Sequence, residues 1–75
     1  MKRAGTAVGT AQGLVVVRCP DSESPAVGTE LVDDSLQSAG YIVDVFGPVE
    51  RPYLAVTPTT DQPALLVGNP LYSRE

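Results

Sequence analysis

The residues of this chain able to do chemistry are few, and their spacing argues against catalysis. Histidine is absent, which removes imidazole bases, proton shuttles and imidazole metal ligands together. Cys19 is the only cysteine; without a partner for a disulfide or a thiolate zinc site it reads as a small core or loop residue. Asp33 and Asp34 are adjacent acids, but a calcium loop needs acids at alternate positions and a closing Glu. The pair reads as a solvated turn or a helix cap. Gly5, Gly9 and Gly13 mimic a phosphate-binding loop only superficially, because no Gly-Lys-Ser or Gly-Lys-Thr follows and Leu14 opens an apolar run. Asp44 is the one charge within an apolar segment. Lacking a second acid, a base or a ligand set beside it, it reads as a structural carboxylate accepting backbone N–H groups at a bulge or turn. No catalytic, cofactor-binding or metal-binding residue is assigned, and the chain is expected not to be an enzyme.

Composition indicates the scaffold. Seventy-five residues suit a single domain, 1–75, which buries only about 60% of the surface its unfolded chain exposes. Hydrophobic residues are 43% of the chain, mostly Val and Leu rather than aromatics, a composition that favours strands around small branched side chains. Seven glycines and seven prolines interrupt every candidate helix. The order then reads as a strand through the near-repeat at Gly5 and Gly9, a tight turn at Gln12 and Gly13, and a buried strand from Leu14 to Arg18. An exposed loop follows over 19–25, then a short strand over 27–32 and a turn over 33–38 capped by Asp33 or Asp34. A helix over 29–39 is the rival reading, but apolar residues do not keep three-four spacing beyond Leu31, Val32 and Leu36. A hairpin over 40–58, a loop over 58–63 and an extended segment from 64–67 and 70–73 complete six pieces. Such a series predicts an all-β fold, a small six-stranded antiparallel β-barrel whose closure removes aggregation-prone edges.

The hairpin, GYIVDVFGPVERPYLAVTP over 40–58, is too apolar for a solvated surface. Strict alternation puts Tyr41, Val43 and Val45 on one face and Ile42, Asp44 and Phe46 on the other, so neither face is polar. Either a bulge near Asp44 shifts the register, or a partner covers the outer face. The Gly47-Pro48 pair also has a plain explanation as turn punctuation. Its company carries the functional reading: two aromatics and rigid prolines crowd one turn, and a rigid apolar patch costs little ordering entropy when it docks. Ile42, Val45, Phe46, Gly47, Pro48, Val49, Pro52 and Tyr53 form the candidate partner-binding surface.

Gly40, the run 44–49, Pro52, Tyr53 and Pro58 resemble the signature of the archaeal H/ACA ribonucleoprotein Gar family, and the similarity extends to 2–5, 11–17, 27–33 and 67–72. Residues 27–32 also resemble a step in translation-factor second-domain barrels, an architecture that family shares. The resemblance implies a non-catalytic accessory subunit of the guide particle that converts chosen uridines of ribosomal RNA to pseudouridine. In that family the barrel docks through an apolar face on the pseudouridine synthase subunit, away from the guide RNA. It influences a mobile substrate-gripping loop and hence substrate loading, turnover and product release. The implied partner is the synthase, with guide RNA met only through the complex; no cofactor is implied, and the free protein is expected to be a monomer.

No segment approaches the roughly 18 apolar residues of a membrane span, and no signal-peptide pattern follows Met1; a cytoplasmic location is expected. The rival function is a free-standing translation-factor-like barrel binding RNA or a ribosomal protein directly. It calls for a basic stripe with exposed aromatics, whereas the chain carries five cationic side chains against nine acids, a formal charge of −4, and no Gly/Arg-rich tail. Such a charge offers few phosphate contacts and little counterion release. Gel shifts across a salt series are therefore expected to show weak or no binding of guide RNA by the isolated protein. Submicromolar binding at moderate salt would refute this.

Overall fold

The computed structural model describes residues 1–74. Six strands form where short apolar runs, rich in Val and Leu, lie between turn residues: β1 (Lys2–Ala11), β2 (Leu14–Arg18), β3 (Glu30–Val32), β4 (Ser38–Phe46), β5 (Tyr53–Pro58) and β6 (Pro70–Ser73). Every pairing is antiparallel, and the order β1-β2-β5-β4-β3-β6 closes on itself. The expected six-stranded antiparallel barrel is the observed one. Closure gives each of these Val-rich strands a paired neighbour on both sides over at least part of its length.

The inward side chains fill the barrel themselves, as they do in small barrels generally. Val15, Val17, Leu31, Ile42, Leu54, Val56, Leu71 and Cys19 are fully buried there, so Cys19 is a core residue. At the turn between β3 and β4, Asp33 Oδ1 accepts the N–H groups of Ser35 at 2.8 Å and Gln37 at 3.0 Å. Asp33 thus closes a turn as expected, and β3 and β4 occupy the span that the rival helix over 29–39 required.

Two expectations need correction. The strand expected over 27–32 is ordered as strand only at Glu30–Val32. Ahead of it, Thr29 N–H bonds back to the Ala26 carbonyl at 3.1 Å, a turn, while Gly28 donates to the Ile42 carbonyl at 2.8 Å. The segment expected to be extended over 64–67 is a 3₁₀ turn over Pro63–Leu66. Pro63 pre-sets the helical φ at its first position, and the turn buries Leu66 while leaving Leu65 outside. One side chain against the barrel core outweighs the extended preference of a short apolar run. Among the described residues no helix is long and apolar enough to cross a membrane.

Gly40, opposite Pro58 in the β4–β5 ladder, allows the two strands to wrap tightly. A Cβ there would lie 2.2 Å from the Thr57 carbonyl oxygen and 2.8 Å from Val56 Cγ1. The first contact is with backbone and has no rotamer to yield, so Gly40→Ala is expected to destabilise the barrel by about 2 kcal/mol or more, lowering Tm by roughly 10 °C. Gly9 has nothing within 4 Å of its virtual Cβ, and Gly9→Ala is expected to stay within about 0.5 kcal/mol of the parent. Thermal melts of the two variants check both; equal effects would remove close approach as the cause.

Candidate partner-binding surface

The outer surface of β4 is decided by one extra residue. Ile42 faces Val56 and Asp44 faces Ala55, so Val43 and Asp44 together oppose a single residue, a β-bulge. Asp44 Oδ1 accepts the N–H of Val45 at 2.8 Å, consistent with a structural carboxylate. The bulge turns Tyr41, Val43, Asp44 and Phe46 outward and Ile42 inward, with Val45 half-buried against the core. The candidate surface changes accordingly. Ile42, 1% exposed, is a core side chain, and Pro52 is buried; neither is available to a partner, and Val45 is largely occupied by the core. Phe46, Gly47, Pro48 and Val49 are exposed, Val49 to 82%, and Tyr53 is half-buried. Tyr41 and Val43, which the sequence reading did not assign, join them as outward apolar side chains. Outward parity on either side of the bulge was the signal that would have found them.

The turn carrying Pro48 and Val49 is anchored to the end of β2. Cys19 N–H donates to the Pro52 carbonyl at 3.0 Å, and Arg51 Nε donates to the Cys19 carbonyl at 3.0 Å. Arg51 N–H also bonds back to the Pro48 carbonyl at 3.2 Å, closing a four-residue turn. Gly47 sits at φ 88°, a conformation open mainly to glycine. A Cβ there would come within 2.9 Å of the Tyr53 ring. The ring is thus free to lie parallel to Phe46, centroids 5.6 Å apart and planes 18° apart.

That pair begins a row across four strands. Phe46 faces Tyr53, Tyr53 faces Arg18 and Arg18 faces Thr6. Arg18 Nη1 donates to the Tyr53 hydroxyl at 3.0 Å, and its Cζ lies 4.9 Å from the ring centroid, within cation–π range. Arg3 Nη2 donates to Thr6 Oγ1 at 2.8 Å. Arg3, Arg18 and Arg51 together line a concavity of about 370 Å³. No basic stripe is visible in the linear order; the fold gathers three of the five cationic side chains from β1, β2 and the β4–β5 turn.

A larger concavity, about 520 Å³, lies beside the 3₁₀ turn and is lined by Pro63, Leu65 and Asp61. Its polar lining is Thr10, Asp61 and Gln62. Among the described residues no group of three or more Cys, Asp or Glu side chains is placed to hold a metal ion. No protein-family model matches the chain, and no curated protein matches it significantly.

Beneath this surface, burial pushes the Cys19 thiol above its ordinary pKa, with Asp21 adding to the effect. The folded state therefore holds the thiol proton more tightly than the unfolded state. Its stabilising contribution is intact below the unfolded value of about 8.5 and is lost as pH rises through the higher folded value. Urea denaturation between pH 7 and 10 is expected to show stability falling as pH rises above about 8.5. In Cys19→Ala that component is expected to vanish on a lower baseline; identical slopes in both proteins would refute it.

Proposed function

We propose that this chain is a non-catalytic accessory subunit of an H/ACA guide ribonucleoprotein, docking on the pseudouridine synthase subunit through the outer face of β4 and the β4–β5 turn. The observation that carries the reading is the apolar strip of Tyr41, Val43, Phe46 and Val49 outside a barrel whose interior is already filled by other side chains. Exposed apolar side chains grouped on one strand and its turn, here with Asp44 among them, are the kind of surface that marks an interaction site. The resemblance to the Gar family supports the choice of partner, since Gly40, Gly47 and Pro52, on which it rests, also shape this hairpin. In this role the chain supplies no group to the isomerisation of uridine. Its effect is on how readily the synthase loads substrate RNA and releases product, steps that commonly limit turnover.

Val49 is the most exposed of the strip and lies in the turn, so Val49→Asp tests docking with little risk to the barrel. Synthase affinity is expected to fall by about 1 to 3 kcal/mol, roughly 5- to 150-fold, in calorimetric titration of variants with parental melting transitions. Leu65→Asp, on the exposed side of the 3₁₀ turn, is expected to bind as the parent does. Multiple-turnover modification is expected to slow in Val49→Asp while single-turnover rates change little. Parental affinity in Val49→Asp, or an equal loss in Leu65→Asp, would place the docking face elsewhere.

A further inference from the structure

We infer that Arg3, Arg18 and Arg51 form a carboxylate-binding pocket that receives an Asp or Glu side chain of the synthase as the apolar strip docks; the identity of that partner rests on the function proposed above. The chain is acidic overall, yet three of its five cationic side chains line one concavity. The ion pairs among the described residues are Lys2–Glu23 and Arg74–Glu30, and none of the three arginines takes part in them. Each is instead steadied by a neutral acceptor: Thr6 Oγ1, the Tyr53 hydroxyl and the Cys19 carbonyl. The guanidinium groups are thus oriented but not neutralised. Arg18 Nε is buried without a hydrogen-bond partner, a cost that the barrel itself leaves uncompensated.

A carboxylate suits this arrangement better than a nucleic-acid strand. Its two oxygens match the fork of a guanidinium and its single charge is local, whereas a nucleic-acid strand approaches a chain whose net charge is −4. Tyr53 is flanked by Phe46 from β4 and by Arg18 from β2, leaving little ring face on which a base would stack. The pocket is also continuous with the strip: Arg18 contacts Tyr53, and Tyr53 stacks on Phe46. Apolar contact and charge recognition then belong to one interface, with the charge pair steering approach and fixing register.

The test has two arms. In the first, the arginine Nε–H signals of the ¹⁵N-labelled protein are followed at low ionic strength while an acetylated tetraglutamate peptide or a uridine hexanucleotide is added. The peptide is expected to shift Arg3, Arg18 and Arg51 more than the hexanucleotide does, and the shifts are expected to disappear in Arg3→Glu. No response to the peptide, or a larger response to the hexanucleotide, overturns the proposal. In the second arm, Arg3→Glu and Arg51→Glu are titrated into the synthase at two salt concentrations. Affinity is expected to fall roughly 10- to 100-fold, more at low salt. Arg3→Glu serves if Arg51→Glu loses its fold, because Arg51 also holds the Cys19 carbonyl. Parental affinity in Arg3→Glu overturns the proposal. A parent that fails to bind the synthase while the peptide still shifts the arginines removes the proposed function and leaves the carboxylate pocket standing.

Discussion

In a closed barrel of this size each strand has one face toward a filled interior and one toward solvent, and the pleat allows no other choice. The extra residue at Val43 and Asp44, opposite Ala55, is the place where β4 departs from that regularity. It keeps Ile42 in the core and returns Val45 to it, while Phe46 emerges beside Tyr53. Without the bulge, outward Tyr41 would impose outward Val45 and inward Phe46, a large ring for which a core of Val and Leu side chains has no evident room. The apolar strip and the aromatic pair follow from this register, while the approach of Tyr53 to Arg18 follows from the pairing of β2 with β5.

The β4–β5 turn gains definition from its attachment to β2. Cys19 uses both backbone groups on it, donating to Pro52 and accepting from Arg51, while its side chain is sealed in the core. One residue therefore links core packing, turn geometry and the position of a surface arginine. A turn held in this way presents Pro48 and Val49 with little conformational freedom left to lose. In the proposed function that preorganisation matters, since an interface gains affinity when the ordering cost has been met during folding.

Charge is arranged against the average. The chain carries a net −4, yet Arg3, Arg18 and Arg51 meet at one concavity, held by neutral acceptors. Net charge governs long-range repulsion of nucleic acid; local clustering governs what a partner meets on contact. The two need not share a sign, and here they do not. The proposed accessory role and the proposed carboxylate pocket both draw on the local pattern.

The sequence by itself determined the fold class, because glycine and proline break every helical window while Val-rich segments recur at strand length. It also located the crowded hairpin and a turn at Asp33 or Asp34, which depend on neighbours within a few residues, and left a bulge near Asp44 as one of two readings of the hairpin. It did not determine that Pro63–Leu66 forms a 3₁₀ turn, since burial of Leu66 requires strands far away in the chain. Nor did it separate Ile42 and Pro52, which are hidden, from Tyr41 and Val43, which are presented; local alternation lacks the information once an extra residue enters a strand. The arginine cluster was least legible. Positions 3, 18 and 51 share no pattern in the linear order, and only the pairing of β1 with β2 and β2 with β5 brings Thr6, Arg18 and Tyr53 side by side. Local propensity is written in adjacent residues, whereas lateral neighbours across a barrel exist only after the strands have chosen their register.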